Sequence, residues 1–383
     1  CRSDYINKND TPFLFSLKQE GVSGSLSPTF GFEPDAAYLA GLYPDECDGG
    51  MHFWYSPVTS PFRKIQMVVR HLDISPKICQ KVFRRVLSVY VRKTINYSRP
   101  RYVTSIGRIP FKLISFFDMA EKCLLYEDMF VDRRSIFTML RNSNKSFFFH
   151  GAPTCSTDVE DVYRGLVEAD HTFDFIFLHT GILDGVGHKY GPHSDEISSA
   201  LRRLDRVMEK IFTFLKNKYE EFNLVIFGDH GMVAVKETLD IERIINELGL
   251  KLGDDYIYFL DSTIARFWFF NANARRLIIS VLSEIKQGSV LTEKDKSKYH
   301  LHYSHNKFGD LLFLVAPGTL IFPNFWNNNI PEKGMHGYEP EYIGQQSALV
   351  IHSPFINKQT KIEHPIDMRR IFPTLVKFTG MNT

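Results

Sequence analysis

The sequence predicts an α/β fold of three layers, in which a mostly parallel sheet is covered by helices on both faces. Two apolar runs of strand length, FDFIFLH at 173–179 and LVIFGD at 224–229, flank a helical segment at about 194–218. Such nearly continuous apolar strands are typical of a parallel sheet that is buried on both faces. The helix between them is predicted by six apolar residues spaced 4, 3, 4, 3 and 4 apart: Ile197, Leu201, Leu204, Met208, Ile211 and Leu215.

The same alternation returns towards both ends of the chain. TPFLFSLKQEG at 11–21 predicts a short helix, and AAYLAGLYP at 36–44 predicts a second one that a glycine and a proline close. SALVIHSP at 347–354 predicts a late strand, and MRRIFPTLVKFTG at 368–380 predicts a terminal helix. All of these segments can join the layers of the central α/β unit.

Two less regular blocks interrupt this pattern. One, at about 60–125, is basic and helical, and the other, at about 240–335, is expected to form a cap. With no internal repeat or low-complexity linker, we expect a single domain over 1–383 that carries both blocks as insertions.

Composition is that of an ordinary globular protein, with 44% apolar and 23% charged residues, and no apolar run is long enough to span a bilayer. The five cysteines are scattered and form no CxxC pair, which excludes zinc fingers and thioredoxin-like sites. They favour a reduced, cytoplasmic protein over a secreted one, although a signal peptide removed before Cys1 would not be visible. The cysteines are Cys1, Cys47, Cys79, Cys123 and Cys155.

Charge is distributed unevenly. The segment 63–112 holds thirteen Lys or Arg residues and one acidic residue, Asp73, for a local charge of +12, while the rest of the chain carries −10. Within it, KICQKVFRRVLSVYVRK at 77–93 can form a helix with basic and apolar sides. The segment is either the solvated face of a cap helix or a surface for an anionic partner such as a lipid or membrane surface. No nucleic-acid-binding module is recognisable around it.

Three glycine-flanked motifs carry the residues that suggest chemistry. Asp184 and His188 lie in LDGVGHKYGP, which we expect to be a thin loop after a strand; Asp229 and His230 lie in GDHGM, and His336 lies in KGMHGYEP. Ligands bind at the carboxyl ends of strands in open α/β sheets. Carboxylate oxygens and imidazole nitrogens are the ligands that zinc-like ions prefer. Each motif alone is weak evidence, whereas all three in order predict a metal site.

Together, DxxGHxxGP, GDHGM and HGY resemble the nucleotide pyrophosphatase/phosphodiesterase branch of the alkaline phosphatase superfamily. They are also similar to the enzymes that transfer phosphoethanolamine to lipid-anchored glycans. The resemblance extends to TPFLFSLKQEGV, where the family has a TPN-x-x-x-L-x-x-EG helix, and to GLYP, where it has TGLYP. It covers about half of the chain, and the two insertions match nothing in it.

The resemblance implies an alkaline-phosphatase-like sandwich with two divalent metal ions, zinc or alternatively manganese. By this analogy one ion is held by Asp184, His188 and His336. The other is held by Asp229 and His230, together with an aspartate from the end of the first strand.

The resemblance also implies that the given chain is a fragment. In the family the strand aspartate stands in a DG-x-R-x-DY stretch, and CRSDYI matches only its tail, through Arg2, Asp4 and Tyr5. The first strand and its metal ligand are therefore expected before Cys1, and Asp4 matches a position that binds no metal.

The attacking group is the weakest part of the match. Family members use a Thr or Ser hydroxyl, and counting back from GLYP places Gly31 where that hydroxyl is expected. Thr29, two residues earlier, is the candidate catalytic residue, since a modest shift of the loop would bring it into place. Glu33 and Asp35 are nearby alternatives as metal ligands or as a carboxylate base.

These residues together imply a metal-dependent phosphodiesterase or nucleotide-pyrophosphatase-like hydrolase that acts on a phosphate ester or pyrophosphate. Two alternatives stay open: a phosphotransferase acting on a glycan or lipid, and a catalytically inactive binding protein of the same fold. Arg266 in the second insertion either contacts a substrate or forms a structural ion pair. The sequence leaves the substrate and the oligomeric state open.

Overall fold

The computed structural model describes residues 1–47, 49–69, 72–74, 77–94, 109–119, 134–152, 155–327, 329–356 and 360–381. The chain divides into two compact units. The first unit comprises Cys1–Cys47, Leu125–Val235 and Glu332–Thr383, and the second comprises Asp48–Leu124 and Lys236–Pro331. The view of the chain as one domain with insertions at about 60–125 and 240–335 stays a prediction.

The helices and strands of the described residues follow in chain order. The helices are α1 Pro12–Glu20, α2 Asp35–Ala40, α3 Gln66–Val69, α4 Lys77–Thr94, α5 Phe111–Ile114, α6 Ile136–Asn142, α7 Val159–Glu168, α8 Ile182–Tyr190, α9 Asp195–Lys218, α10 Ile241–Asn246, α11 Ala272–Ser283, α12 Glu293–Lys298 and α13 Ile371–Phe378. The strands are β1 Val22–Ser27, β2 Phe53–Tyr55, β3 Phe117–Met119, β4 Phe147–His150, β5 Phe175–Leu178, β6 Leu224–Phe227, β7 Val233–Ala234, β8 Glu237–Leu239, β9 Tyr256–Leu260, β10 Ile264–Phe269, β11 Gly288–Val290, β12 Leu311–Val315, β13 Thr319–Ile321, β14 Gly334–Met335, β15 Ser347–His352, β16 Thr360–Lys361 and β17 Ile366–Asp367.

The main sheet of the first unit is mixed. Its strand order is β16–β1–β15–β6, with β17 also pairing with β1. Strand β1 runs parallel to β16 and β17, whereas β15 runs antiparallel to both β1 and β6. Strands β4 and β5 form a separate parallel pair in which Phe147 lies opposite Phe175.

Alternate residues of these strands face two different helical layers. Leu349 and Ile351 of β15 pack with α2, α6 and α13, whereas Ala348 and Val350 pack with α1 and neighbouring side chains of α9. In the same way β4 and β5 contribute to the first layer and to a cluster with α7, α8 and α9. This alternation follows from the two-residue period of a strand, and it gives the helix–sheet–helix arrangement that the sequence predicts.

The long helix α9 begins and ends where the sequence signals predict. Ser194 caps it, with the Ser194 hydroxyl accepting a hydrogen bond from the Ile197 backbone N–H at 3.3 Å. The buried carboxylate of Asp205, on the inner face of this helix, accepts the backbone N–H groups of Phe13 and Leu14 at 3.0 and 2.8 Å. Because those N–H groups lie in the first turn of α1, α9 both covers the sheet and caps a second helix.

The motif LDGVGHKYGP departs from expectation, because it forms helix α8 and not a loop. Gly191, at a φ of 93°, ends this helix in a conformation that disfavours side chains. A Cβ atom at Gly185 would have no atom within 4 Å, so packing does not require a glycine at this position. Since residues i and i+4 share a helix face, the spacing of Asp184 and His188 places both side chains on one side of α8.

The second unit contains a four-stranded antiparallel sheet in the order β11–β12–β10–β9. Arg266 of β10 is fully buried, and its guanidinium lies 3.0 Å from the carboxylate of Asp261 and donates to the Phe53 carbonyl at 2.8 Å. Of the two roles considered for Arg266, the structure therefore supports a structural ion pair with Asp261. Its side chain is not exposed, so it cannot contact a substrate.

The basic segment 63–112 is partly outside the described residues, which exclude 70–71, 75–76 and 95–108. Its central part forms α4, as predicted. None of the described helices is both long and apolar enough to span a membrane. None of the four described cysteines forms a disulfide bond, and Cys123 lies outside the described residues.

Candidate metal centre

Three backbone elements bring the candidate ligands together in the first unit. Asp184 and His188 project from α8, and Asp229 and His230 follow β6 after Gly228. Strand β14 pairs with β7, and His336 follows β14 immediately. The Lys333 backbone N–H donates to the His188 carbonyl at 2.8 Å, which ties the start of β14 to α8.

One carboxylate oxygen of Asp184 is the centre of the group. Its Oδ1 atom lies 3.2 Å from Nε2 of His188, 3.7 Å from Nε2 of His336 and 3.9 Å from Nε2 of His230. The Asp184 side chain is 43% exposed, but Oδ1 itself is buried and has no hydrogen bond of good geometry to any described residue. Asp184, His188 and His336 each offer one ligand atom, all within 4.8 Å of one another.

Backbone carbonyls fix the orientation of two of the imidazoles. Nδ1 of His188 lies 2.9 Å from the Gly334 carbonyl, and Nδ1 of His230 lies 2.8 Å from the Gly231 carbonyl. A carbonyl oxygen only accepts, so each Nδ1 must carry the proton. Each Nε2 then keeps a free lone pair directed at Asp184, which is the arrangement of a metal-binding histidine.

These distances fit a divalent ion. Two ligands bound to zinc at about 2.0–2.2 Å in tetrahedral geometry lie roughly 3.3–3.6 Å apart. The contacts of Asp184 Oδ1 with the imidazoles span 3.2–3.9 Å, close to this range. A buried carboxylate oxygen without a hydrogen bond, faced by imidazole lone pairs, is suited to bind a cation. The described residues can therefore hold a divalent metal ion.

Electrostatics around Asp184 also favour its charged form. Burial would raise the pKa of Asp184, but the close contact with His188 and the charges of His336 and His230 outweigh burial and lower it strongly. For His188, burial would lower the pKa, but the contact with Asp184 outweighs burial and raises it. The group thus holds a carboxylate that stays ionised and an imidazole that binds a proton readily when no metal competes.

Asp229 and His230 form a second pair of ligand atoms. Nε2 of His230 lies 3.4 Å from Oδ2 of Asp229, again close to the separation of two ligands on one ion. Burial would raise the pKa of Asp229, and the charge of His230, with a smaller effect of His179, lowers it. The same His230 reaches Asp184, so the two predicted ligand sets are adjacent.

Thr29 lies in the connection between β1 and α2. It is half-buried, and no hydrogen bond or ion pair joins it to Asp184, Asp229 or any other described residue. Gly31, which stands at the position where the family pattern expects a hydroxyl, has a φ of 119°, a conformation that side chains rarely adopt. The role of Thr29 stays a prediction.

Two aromatic side chains fix this connection beside the ligand groups. The Phe32 ring lies edge-on to the His336 imidazole, with centroids 5.7 Å apart. The buried Tyr38 ring packs against Phe177 and Phe227, the rings near the ends of β5 and β6, and its hydroxyl donates to Asp35. Burial, together with the charges of Asp35 and Asp229, raises the pKa of Tyr38 well above its ordinary value.

Sequence reasoning missed Tyr38 and His179 as neighbours of the ligand groups. His179 directly follows β5, and its Nδ1 is buried without a hydrogen bond among the described residues. A signal was present, because a histidine at the end of a buried strand has the same placement as Asp229. Tyr38 gave no comparable signal, since a tyrosine in an apolar helix is typical of core packing.

Comparisons with known proteins find similarity to phosphodiesterases. The chain is 25% identical to venom phosphodiesterase 2 of Crotalus adamanteus over 59% of its own length, an alignment that covers only 28% of that relative. The chain thus spans about a quarter of the length of the curated relatives matched first. It is 23% identical to the mouse ectonucleotide pyrophosphatase/phosphodiesterase family member 7, covering 99% of the chain and 81% of that protein.

Solved structures show the same fold. Human ectonucleotide pyrophosphatase/phosphodiesterase 5 superposes with a TM-score of 0.68 at 14% identity, over all of this chain and 93% of that one. An inactive threonine-to-alanine variant of the murine protein, in complex with AMP, matches with the same TM-score over 92% of its length. The predicted alkaline-phosphatase-like α/β fold is confirmed.

The names of these relatives correct one prediction. Venom proteins and ectoenzymes act outside cells, so the expectation of a cytoplasmic location is wrong. Five scattered cysteines were too weak a signal, because an extracellular chain need not form disulfides. A family model described as type I phosphodiesterase / nucleotide pyrophosphatase matches residues 1–339, and the chain belongs to this family.

Proposed function

We propose that this protein is a metal-dependent hydrolase that cleaves a phosphodiester or pyrophosphate bond. The observation that supports it most is the convergence of three imidazole Nε2 atoms, from His188, His230 and His336, on the buried Oδ1 of Asp184. A structural role for this group is unfavourable, because it collects two carboxylates and three imidazoles with few hydrogen bonds among them.

Two divalent ions, zinc or manganese, are the proposed cofactors. Asp184, His188 and His336 would hold one ion, and Asp229 and His230 would contribute to the other. When bound, such a pair supplies positive charge against the phosphoryl oxygens and the leaving group. Backbone carbonyls set the orientation of two ligands, because those of Gly334 and Gly231 keep His188 and His230 in the ligating tautomer.

Thr29 is the proposed nucleophile. Its Oγ1 would form a bond to phosphorus while the bond from phosphorus to the leaving oxygen breaks, and water would then hydrolyse the phosphothreonine. Support comes from the position of its loop, since Phe32 packs on His336, and Tyr38, whose pKa the charge of Asp229 helps to raise, donates a hydrogen bond to Asp35. Glu33 and Asp35 are the nearby carboxylates that can take up the hydroxyl proton.

The proposed substrates are phosphate esters or pyrophosphates of the nucleotide type, acted on outside the cell. This follows from the names of the venom and ectonucleotide relatives and from the AMP complex of the murine structure. We further propose that the basic segment 63–112 contacts an anionic lipid or membrane surface, which its local charge of +12 supports.

The test is turnover of bis-p-nitrophenyl phosphate and of a nucleotidyl p-nitrophenyl ester with zinc or manganese present. We expect p-nitrophenol release that a chelator abolishes and that an excess of metal restores, with the monoester p-nitrophenyl phosphate a poorer substrate. Bound metal without turnover would instead make the protein a binding protein of this fold. Transfer of the phosphoryl group to an added glycan or lipid acceptor would make it a phosphotransferase.

A further inference from the structure

Helix α4 of the second unit exposes an unusual amount of apolar surface. Ile78, Val82, Val86 and Val89 are 74, 57, 55 and 49% exposed. Their spacing of 4, 4 and 3 residues places them on one side of the helix, and we call them the apolar stripe. Four large apolar side chains aligned in this way differ from the single exposed apolar residues that any surface carries.

The opposite side of α4 packs against other residues of the second unit. Leu87 is buried, and Gln80 donates to the Asp73 carbonyl at 3.0 Å. The Arg84 guanidinium donates to the Ile109 carbonyl at 3.0 Å and lies over the Phe111 ring at 4.3 Å. The helix is thus held to the second unit by one face, and the apolar stripe faces away from those contacts.

Positive charge flanks the apolar stripe. Lys81 and Arg85 are exposed, and their positions on the helix place both along one edge of the stripe. Helix α4 contains no acidic residue. Asp73, the single acid of 63–112, accepts the backbone N–H groups of Phe111 and Lys112 at 2.8 Å each, so it is committed to capping α5.

We propose that α4 docks on the surface of an anionic phospholipid bilayer, with the apolar stripe buried among the acyl chains and Lys81 and Arg85 at the headgroups. An apolar face with cations along its edge, on a helix too polar to span the membrane, is the pattern of an interfacial helix. Cations along the edge match anionic headgroups, whereas a second copy of this chain would bring another basic segment against them. This inference rests on the membrane contact proposed for segment 63–112 and assigns it to α4, and it does not depend on the proposed chemistry.

The experiment compares sedimentation of the protein with vesicles of phosphatidylcholine alone and with vesicles that also contain phosphatidylserine. We expect binding to the anionic vesicles that weakens as salt is raised. The double variant V82D/V86D should weaken it about tenfold or more by placing charge in the apolar stripe, and K81E/R85E should weaken it to a similar degree. Ile343→Asp and Lys210→Glu, at exposed positions of the first unit, are the matched controls.

Insertion is measured separately with Val86→Trp, whose fluorescence should shift to the blue on anionic vesicles and be quenched by brominated acyl chains.

Binding of V82D/V86D equal to that of the unmodified protein would overturn the proposal, as would equal binding to both vesicle types. Concentration-dependent dimerisation that V82D/V86D abolishes would assign the stripe to a second copy instead. If the double variant is less folded by circular dichroism, V82S/V86S replaces it. A protein that turns over the soluble diester but binds no vesicles overturns this proposal and leaves the hydrolase proposal intact.

Discussion

The imidazole rings of His230 and His336 are stacked, with centroids 3.7 Å apart and planes 13° apart. Burial, and then the nearby His230, lowers the pKa of His336 well below its ordinary value, because two imidazolium ions cannot share this space. Neutral His336 is the form that binds a metal. Since His230 and His336 both face Oδ1 of Asp184, this carboxylate connects the two proposed ion positions.

Asp184→Asn is the most direct single change at the site. The amide keeps the shape of the side chain but removes the negative charge around which the histidines are arranged. We expect loss of bound metal and a fall in diester turnover of about 100-fold or more. Metal content by mass spectrometry and steady-state rates check this, with Asp195→Asn at the exposed start of α9 as the control. Unchanged metal content and turnover in Asp184→Asn would remove Asp184 from the site.

Metal affinity should depend on pH through His188. Its pKa is raised above the ordinary value of about 6.5, since the contact with Asp184 outweighs burial. A proton must leave His188 before a metal binds, so apparent affinity should rise with pH up to the raised pKa, by about tenfold per unit, and then level off. Chelator competition at several pH values measures this. An affinity that is flat from mildly acid to mildly alkaline pH would contradict it.

In the metal-free protein, the contribution of His188 to folding stability should fall as pH rises, opposite to the trend in metal affinity. A raised folded-state pKa means that His188 adds stability below its unfolded pKa and that this contribution is lost as pH rises through the folded value. Replacing His188 with Gln should therefore reduce the stability of the metal-free protein at mildly acid pH more than at alkaline pH. Urea unfolding at the two pH values is the measurement, and equal losses at both would show that protonated His188 makes no stabilising contact.

Thr29 is tested by a pair of substitutions. Thr29→Ala removes the hydroxyl and should lower turnover by about a thousandfold or more, whereas Thr29→Ser keeps the nucleophile and should retain measurable activity. Acid quenching during turnover should trap a phosphorylated protein in the unmodified chain and none in Thr29→Ala. If Thr29→Ala turned over normally, the attacking group would have to be sought elsewhere in the same loop.

Two glycines of the site should respond differently to alanine. A Cβ at Gly334 would lie 2.4 Å from the backbone oxygen of Gly187, so Gly334→Ala must displace β14 from α8 and disturb His336. Gly185 has open space around it within α8, so Gly185→Ala should leave activity intact and stabilise the helix by about 0.5–1 kcal/mol. Thermal unfolding and turnover of the two variants check this. Equal behaviour of the pair would show that packing of α8 on β14 is unimportant.

Much of this arrangement could be predicted from sequence. The apolar strands and the 4-3-4 spacing of α9 specify buried elements through periodicity, and these appear within a few residues of the predicted bounds. The candidate ligand residues were predicted because three glycine-flanked motifs with aspartate or histidine occur in order along the chain, and the structure brings Asp184, His188 and His336 together. The antiparallel course of β15 was missed, since a buried apolar strand has the same pattern in either direction.

Other features depend on contacts that no local pattern contains. Helix α8 was expected to be a loop because three glycines weigh against a helix, yet docking on β14 stabilises it over that local preference. The basic and apolar side chains of α4 were expected on opposite sides of the helix, with the basic side either solvated or facing an anionic partner, but the Arg84 guanidinium lies over the Phe111 ring. In both cases, contacts with residues distant in sequence determine the conformation.

The central claim is that the group around Asp184 binds the catalytic metal. A crystal structure of the zinc-loaded protein, with anomalous data at the zinc edge, tests it most directly. We expect one zinc peak bound by Asp184, His188 and His336 at about 2.0–2.2 Å, and a second peak at Asp229 and His230. A protein that hydrolyses the diester with zinc bound elsewhere, and with no peak beside Asp184, would contradict the claim.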